Sequence, residues 1–527
     1  MTLLRKFKLY HLSIVGAMAV AVVAIIFAND AHFRLNFLNS DTMYQQSVYK
    51  DLFVEGGSWK HWSYNAAPNI FPDFIFISLL MFITKSPAMA GLLAGVIQFG
   101  FIQLLFIGII KRLQLMTDEK KLALIPIISF ILFFPTIFQQ EIEHGFQMLS
   151  NSYHLGSFVN TLILLYFLSQ NILSPRRIVW LIAFASLAAI SDRVFWVMFC
   201  APFFVIAFIF LKQKNRVSFF KYIALSLTPI IASLLFAAII RSIKGPEIEK
   251  AFREFSWEYV VPSLTVFLQV IKELLMSLNW RSLVYVVLIF SVVFISIKAL
   301  KTKLRINTAV DYFYLFAAIS ILSTIAAPIL NGSFESLQHL RYQMGAIIFA
   351  VLIFGLIVAQ KVTSNSILKY LLITLSILPI LACIIHAQEV KRKFTFYPAF
   401  TREVDEIAKM YHLKNGISTY WNAKIDEQLS KSGIHVVGTY NEPYPDIHAN
   451  SRDWYHHDRL NRSEPAVFNF VIINDDFHLE KAQEVFTFGT SIVKYGESTV
   501  LITPPFTYDE FFKIQFVDGN SDRNNCR

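Results

Sequence analysis

The sequence predicts a polytopic α-helical membrane protein of about eleven transmembrane helices, followed by a C-terminal extracytoplasmic α/β domain. Only 16% of the 527 residues are charged, whereas about a quarter are charged in a typical soluble protein. Hydrophobic residues make up 55% of the chain, including 51 phenylalanines, and they gather in stretches of the roughly twenty residues that a helix needs to cross a bilayer. The pattern changes near residue 395, where short strand-like stretches replace the long apolar ones.

Eleven apolar stretches are predicted to span the membrane. The first follows the basic segment MTLLRKFK, is too long for a typical signal peptide and lacks a convincing cleavage site, so we expect an uncleaved span. The predicted spans are approximately 10–28, 88–110, 122–138, 156–173, 177–191, 193–211, 219–240, 282–299, 310–330, 344–360 and 367–386.

The apolar segment 74–84 decides the predicted topology, because it is too short to cross a bilayer. If it lies at the outer face as an interfacial helix, the six clusters of Lys and Arg all fall on one side of the membrane. Because cytoplasmic loops carry an excess of Lys and Arg, that side is expected to be the cytoplasm. That choice places the N-terminus in the cytoplasm and residues 388–527 outside the membrane. The net charge of +10 is then a topology signal and does not indicate nucleic-acid binding.

This topology divides the chain into a membrane domain, residues 1–387, and an outer domain, residues 388–527. The membrane domain carries a polar outer loop at 29–87 and an outer stretch at 241–281, which pairs apolar with charged positions at helical spacing and is expected to lie along the interface. In the outer domain, KNGISTYWNAKIDEQLSKSGIHVVGTY predicts strand, helix and strand, and AVFNFVIIND and STVLITPP predict further strands.

Acidic side chains and a few cations gather at the predicted outer ends of the spans. Ionisable groups at the level of a membrane are costly and are usually retained for function. They come from separate outer loops and turns, and they are Asp41, Asp51, Glu55, Glu141, Glu143, His144, Asp192, Arg193, Glu335, His339 and Arg341. One pocket that collects them would hold both carboxylates and guanidinium groups.

The first outer loop, NSDTMYQQSVYKDLF followed by NAAPNIFPDFIFISLL, resembles that of the GT-C superfamily. These membrane glycosyltransferases take sugar from a polyprenyl-phosphate or polyprenyl-diphosphate carrier. In this loop and in that of the family, an acidic residue and a tyrosine precede a proline-containing stretch and a short outer helix. The acidic loop FQQEIEHGF and the LRY before a late span are also similar to family features. The resemblance covers most of residues 1–386 and implies a GT-C-like membrane domain.

The resemblance and the chemistry of glycosyl transfer together suggest roles for the polar residues. A carboxylate can take the proton of the acceptor hydroxyl, and Asp41 is the expected base. Glu141 and Glu143 are the other expected catalytic residues, where they would position the acceptor or a divalent cation. Arginine suits the departing lipid phosphate, because its planar fork pairs with two oxygens and stays charged; this favours Arg341 and Arg193.

Further residues and partners follow from the same resemblance. Mg²⁺ or Mn²⁺ prefers oxygen ligands, and Asp41 and Glu143 would hold it, although some members of the family need no metal. The expected partners are a polyprenyl-phosphate sugar donor, a lipid, glycan or protein acceptor, and membrane lipids. The expected location is a bacterial-type inner membrane, with the outer domain periplasmic or extracellular. The other candidate substrate-binding residues are Tyr342, His339, Tyr44 and Trp59.

Structural roles compete with these assignments. Asp41 can cap a loop helix, the acids of the second outer loop can be solvated, and Arg193 can pair with Asp192 or reach lipid headgroups. The histidines, including those of DWYHHD, are expected to be hydrogen-bonded loop residues, and Trp59 can belong to an interfacial aromatic belt. A transporter or flippase for a lipid-linked saccharide and a non-catalytic envelope assembly protein are the alternative functions.

Overall fold

The chain is mostly helical, with a small β-sheet near its C-terminal end. A computed structural model describes residues 9–64, 67–138, 143–150, 154–169, 174–243, 247–248, 256–277, 280–301, 306–362, 366–439, 446, 449–474, 479–486 and 490–509.

The α-helices of the membrane domain follow one another with short connections. They are α1 (Leu9–Phe27), α2 (Asp30–Phe37), α3 (Ser40–Phe53), α4 (Ile75–Thr84), α5 (Pro87–Arg112), α6 (Asp118–Phe138), α7 (Glu143–Gln147), α8 (Leu155–Leu168), α9 (Pro175–Ser191), α10 (Ala201–Lys212), α11 (Arg216–Ser242), α12 (Trp257–Met276), α13 (Trp280–Lys301), α14 (Ala309–Leu330), α15 (Met344–Lys361) and α16 (Ser366–Ile385). Short 3₁₀ or π turns occur at Trp59–His61, Ile70–Phe74, Trp196–Cys200 and Leu337–Gln343, and a two-residue bridge pairs β1 (Ser63–Tyr64) with β2 (Glu247–Ile248).

Several of these helices fit an integral membrane protein. Six helices in the described residues are long and apolar enough to cross a membrane, and they belong to α1, α5, α11, α12, α14 and α15. A seventh candidate combines α16 with the helix that follows it, across a bend of 74°. Each of the eleven predicted spans overlaps a helix, but α6, α8, α9, α10 and α13 are not among these candidates. The count of eleven therefore stays a prediction.

Two basic residues of the α5–α6 connection contact the ends of α8 and α15 at one end of the membrane domain, which we call the basic end. The guanidinium of Arg112, at the end of α5, donates a hydrogen bond to the carbonyl of Tyr166 near the end of α8. The ammonium of Lys120, in α6, donates to the carbonyl of Gln360 at 2.6 Å, near the end of α15. The ends of α5, α8 and α15 and the start of α6 therefore lie at one end of the membrane domain. The common side of all six basic clusters, and its cytoplasmic location, stay predictions.

The opposite end of the membrane domain carries the polar loops, and we call it the loop end. Helix α5 has 26 residues and is about 39 Å long, which exceeds the roughly 30 Å hydrocarbon core of a bilayer. Its first residue, Pro87, accepts a hydrogen bond from Gln46 of α3 at 3.5 Å. The amide of Phe71 donates to Ser191 Oγ at 2.7 Å, at the end of α9. The first outer loop thus packs onto the ends of α5 and α9.

Two segments were predicted to lie along the interface. The stretch 70–84 starts beside Ser191 and leads directly into α5. Helix α12 is long and apolar enough to be a span. Ser263 of α12 donates to the carbonyl of Phe334 at 3.2 Å, and Ser282 at the start of α13 donates to that of Leu274. The interfacial position of both segments stays a prediction.

The outer domain is built on a five-stranded mixed sheet. Its strand order is β4-β3-β5-β7-β6, in which β3 runs parallel to β4 and β5, and β7 runs antiparallel to β5 and β6. The strands predicted from the sequence are β3, β4, β5 and β7, whereas β6 was not predicted. The elements are α17 (Ala387–Phe394), α18 (Ala399–Tyr411), β3 (Asn415–Thr419), α19 (Tyr420–Leu429), β4 (His435–Thr439), α20 (Asp453–His456), β5 (Phe468–Ile473), α21 (Leu479–Val485), β6 (Ser491–Tyr495) and β7 (Ser498–Phe506).

A buried carboxylate joins the first outer loop to the outer domain. Asp51, at the end of α3, is fully buried. Its Oδ2 accepts a hydrogen bond from the indole of Trp62 at 2.8 Å, and its Oδ1 accepts from the indole of Trp454 at 2.8 Å and from Arg462 at 2.6 Å. The two indole rings pack edge to face, 5.0 Å apart. Because a buried charge is tolerated only when it is paired and hydrogen-bonded, this network fixes the outer domain on α3.

Replacing Asp51 with Ala should destabilise the docking of the outer domain strongly. The change leaves the two buried indole N–H groups without their acceptor, at about 1–3 kcal/mol each, and it removes one of the two carboxylates that pair with Arg462, which keeps Asp453. Glu406→Ala is the matched control, since it breaks only the exposed pair with Lys409, which is worth less than about 1 kcal/mol. Chemical unfolding followed by protease cleavage of the outer domain measures both variants, and equal losses would contradict this account.

Candidate active site

A cavity of about 200 Å³ opens at the loop end. Its walls come from the loops before α4 and α8, the turn after α9, the end of α14 and the turn before α15. We call it the loop-end cavity. Val197, Ala327 and Pro328 form part of its apolar side. The polar and charged residues that line it are His154, Asp192, Arg193, Thr324, Asn331, Ser333 and Tyr342.

Asp192 is the most heavily hydrogen-bonded acid of this cavity. It follows the last residue of α9 in an extended conformation and is 3% exposed. Its Oδ2 accepts from Ser157 Oγ at 2.7 Å and lies 3.0 Å from His154 Nδ1, and its Oδ1 accepts from the amide of Val194 at 2.9 Å. Burial would raise the pKa of Asp192, but the charge of His154 and these hydrogen bonds outweigh it and lower the pKa.

His154 completes a buried ion pair. It precedes α8 in a left-handed conformation, φ 59°, and its ring lies 5.8 Å from that of Tyr342. Burial alone would lower the pKa of His154, but the charge and hydrogen bond of Asp192 raise it above its ordinary value. The pKa of the imidazole rises and that of the carboxyl falls, so each group favours the ionised form of the other, with His154 as the cation.

Asp73 is a second buried acid beside this pair. It lies in the turn that leads into α4, and a Cβ at Gly156 would come within 1.9 Å of its Oδ2, so the carboxyl packs directly against the first turn of α8. Burial and the negative charge of Asp192 raise the pKa of Asp73 to about 7. A carboxyl with such a pKa can gain or lose a proton near neutral pH, which is a common property of functional sites.

Two arginines belong to this region. Arg193 lines the cavity directly, and burial together with the positive charge of Arg241, near the end of α11, lowers the pKa of Arg193. Arg341 is not a lining residue, but it donates to the hydroxyl of the lining residue Tyr342 at 3.4 Å and lies 5.2 Å from the centre of its ring. Arginine suits a phosphate, so Arg193 offers a guanidinium to an anion in the cavity.

Asp41 lies at the contact between α3 and the outer domain. Asn39, and not Asp41, caps α3, since the Asn39 side chain accepts from the amide of Thr42 at 2.9 Å. The hydroxyl of Tyr420, the first residue of α19, donates to Asp41 Oδ1 at 2.7 Å. Asp41 is not among the residues that line the cavity. The charges of Asp41 and of the lining residue Asp192 both act on Tyr44.

Tyr44 is the residue between these acids. It is buried, and its hydroxyl donates a hydrogen bond to the carbonyl of Pro68. Burial is the largest cause that raises the pKa of Tyr44, followed by Tyr64 and then by the negative charges of Asp73, Asp41 and Asp192. The negative charges of these three carboxyl groups therefore all act on the phenol of Tyr44. Tyr44 was predicted to bind substrate, but here its side chain supports the loop that carries Pro68.

The other predicted site residues are placed as follows. Arg193 and Tyr342 line the cavity. The His339 ring lies 5.9 Å from that of Tyr342 and its Nδ1 accepts from the Ser336 amide at 3.1 Å, so it supports the turn before α15. Trp59 is 41% exposed and is not a lining residue. Their binding roles stay predictions.

The side chains of the predicted acidic residues in the second outer loop are not described by the structure. Glu141 lies outside the described residues, and Glu143 is described only as the first residue of α7. Of the predicted metal ligands, only Asp41 has a described side chain, so a Mg²⁺ or Mn²⁺ site stays a prediction. Within the described part of the chain, one acid and histidine group could hold a metal, Glu55, Glu427 and His435, with ligand atoms within 4.8 Å of one another.

That group is already neutralised by its neighbours. Arg459 pairs with Glu427 through both carboxylate oxygens and lies 3.7 Å from Glu55, and Lys50 lies 3.3 Å from both acids. Burial and the charge of Arg459 lower the pKa of His435 to about 3. Two cations on two carboxylates leave little attraction for a metal ion, so we interpret the group as a buried contact between α3 and the outer domain.

Sequence reasoning missed the roles of three residues. Asp73 lies just before the predicted interfacial segment 74–84 and was given no role, although a lone acid beside an apolar segment is a signal. His154 was expected to be a hydrogen-bonded loop residue, which it is, but its partner Asp192 could not be identified from the sequence. Tyr420 follows a predicted strand, 379 positions after the Asp41 it contacts, and no local pattern links the two.

The comparisons with known proteins give one distant likeness. No protein-family model matches the chain, and no curated protein matches it. Among solved structures, it is similar to the crystal structure of the oligosaccharyltransferase of Archaeoglobus fulgidus in complex with Zn and sulfate. The TM-score is 0.40 and the sequence identity 10%, over 87% of this chain and 67% of that one. A likeness at this level assigns neither an activity nor a substrate.

Asp73→Asn should change how stability depends on pH. The pKa of Asp73 rises from 3.8 to about 7 on folding, so its stabilising contribution is complete below about pH 4 and is lost as pH rises to about 7. The loss amounts to about 4 kcal/mol. As pH rises across this range, the stability of wild type should therefore fall relative to that of Asp73→Asn. Above this range, the stability profiles of the two proteins should be parallel. Thermal unfolding in detergent between pH 4 and 8 measures this, and parallel profiles throughout would contradict it.

Proposed function

We propose that this protein is a membrane glycosyltransferase that moves a sugar from a polyprenyl-phosphate carrier to an acceptor at the outer face of a bacterial-type inner membrane. The observation that carries the proposal is the loop-end cavity, where a buried His–Asp ion pair and arginines meet at the ends of apolar helices. A lipid-linked donor needs this combination, because its tail stays in the bilayer while its phosphate reaches the polar loops.

The proposed reaction assigns a role to each side of the site. The carboxylate of Asp41 takes the proton of the acceptor hydroxyl as the acceptor oxygen bonds to the anomeric carbon of the sugar. The bond from that carbon to the phosphate oxygen breaks, and the lipid phosphate leaves with the electron pair. Arg193 and Arg341 stabilise the negative charge that builds on the leaving phosphate. Asp192 and His154 hold the wall of the cavity and can hydrogen-bond the sugar.

The outer domain belongs to this proposed site. Tyr420 donates its hydroxyl proton to Asp41 Oδ1 at 2.7 Å, and Ser40 donates to the carbonyl of Tyr420. Lys424 lies one turn later on α19 and is buried. Burial lowers its pKa to about 8, although the negative charges of Asp446, Glu427 and Asp41 act in the opposite direction. These contacts orient the carboxylate of Asp41, which matters because a misplaced base loses much of its effect.

Parts of the proposal rest on residues whose side chains the structure does not describe. Glu141 and Glu143 would position the acceptor or help Asp41 to bind Mg²⁺ or Mn²⁺, since carboxylate oxygens suit these ions. The acceptor is a lipid, a glycan or a protein. The N-terminus would be cytoplasmic, and the outer domain would lie in the periplasm or extracellular space.

Asp41→Asn should reduce sugar transfer by about 10²–10⁴-fold, because the acceptor proton loses its base. Purified wild type and variant are incubated with radiolabelled polyprenyl-phosphate sugars and membrane extract, and label on the acceptor is counted. Glu484→Gln, an exposed carboxylate of α21, is the control and should transfer at the wild-type rate. Equal transfer by Asp41→Asn and wild type would remove Asp41 from the mechanism.

Tyr420→Phe should lower kcat by about tenfold and leave KM for the donor nearly unchanged, because it removes one hydrogen bond to a charged acceptor, worth about 1.5–3 kcal/mol, without touching the cavity. The same transfer assay at varied donor concentration separates the two constants. Tyr411→Phe, on an exposed tyrosine of α18, is the matched control. A raised KM with unchanged kcat would assign Tyr420 to donor binding.

A further inference from the structure

A second cavity, of about 570 Å³, lies between α8 and α9 at the basic end. Helix α9 runs from its basic first turn to Asp192 over 17 residues, which is about 25 Å. The loop-end cavity therefore lies at the other end of the same helix. The residues of this second cavity have no part in the proposed transfer reaction. We call it the basic-end groove.

The walls of the basic-end groove are apolar and partly open to the surroundings. Leu164 of α8 and Leu181 of α9 are buried. Phe167, Trp180 and Leu187 line the same space and are 46%, 76% and 52% exposed. In a membrane-spanning protein, such exposed apolar side chains face lipid tails. A groove of this volume is within the range of about 300–1,000 Å³ that holds small ligands.

Two arginines line the same groove. Arg112 lies 3.4 Å above the ring of Tyr166 and donates to the carbonyl of that residue, so its guanidinium is held in place at the end of α5. Arg177 comes from the first turn of α9. The groove therefore combines two arginines, of which Arg112 is held by Tyr166, with a long apolar wall. Arginine pairs with phosphate oxygens through its planar fork, and Trp180 is of a type enriched at the membrane interface.

We propose that the basic-end groove binds an anionic phospholipid, with the phosphate between Arg112 and Arg177 and an acyl chain along Leu164, Leu181 and Leu187. The charge favours this occupant, because basic pockets between transmembrane helices bind anionic headgroups. A polyprenyl-phosphate donor is a poor fit, since its phosphate would lie about 25 Å from the loop-end acids. An apolar helix of a second copy would bring no negative charge to these two arginines.

Native mass spectrometry of the full chain in detergent tests the proposal, with phosphatidylglycerol and phosphatidylcholine titrated separately. Phosphatidylglycerol should bind wild type more tightly than phosphatidylcholine. Arg177→Ala should weaken phosphatidylglycerol binding about fivefold, the equivalent of one arginine near a headgroup. Arg176→Ala is the matched control, because this exposed neighbour does not line the groove. Ala183→Trp should block binding, because it fills the groove between the two helices.

Several outcomes would overturn the proposal. Equal affinity for the two lipids would mean that the arginines do not recognise the headgroup. Equal losses in Arg176→Ala and Arg177→Ala would mean that only the general charge of the basic end matters. A dimer peak that Ala183→Trp removes would assign the groove to a second copy. Thermal unfolding without lipid confirms that each variant is folded, so that lost binding reflects the groove itself.

Discussion

The candidate site depends on one buried ion pair, between His154 and Asp192. The pair joins the start of α8 to the end of α9, and Ser157 and the Val194 amide supply the remaining hydrogen bonds of the carboxylate. Removing one member of such a pair leaves an uncompensated buried charge and typically costs about 3–5 kcal/mol. The pair therefore fixes the two helix ends around the cavity. Its two members also act on Asp73, whose pKa is raised by burial and by the charge of Asp192 and lowered by the charge of His154.

A second constraint extends the site to the outer domain. Asp51 ties α3 to Trp454 and Arg462, and the same helix presents Asp41 to Tyr420. The outer domain is thus held on the helix that carries the proposed base. In the proposed mechanism, its sheet serves mainly to place α19 against α3, which couples folding of the outer domain to the geometry of the reacting groups.

The sequence allowed the helices and most strands to be predicted, because apolar length and alternation depend on local composition. It also predicted that polar residues gather at the loop end, since helix ends on one side of a membrane share one level. Arg193 and Tyr342 both line the loop-end cavity, while their binding roles and that of Arg341 stay predictions. It could not predict that Asp192 pairs with His154, because that contact depends on how α8 packs on α9. The contact of Asp41 with Tyr420 likewise depends on the docking of a separate domain.

Binding of polyprenyl phosphate to the purified protein tests the central claim most directly. Wild type should bind it, and Arg193→Gln should bind it at least tenfold more weakly, since a charge-assisted hydrogen bond to phosphate is worth about 1.5–3 kcal/mol. Arg402→Gln, in the outer domain, should bind like wild type. If Arg193→Gln binds polyprenyl phosphate as tightly as wild type, the loop-end cavity is not the site of the lipid phosphate.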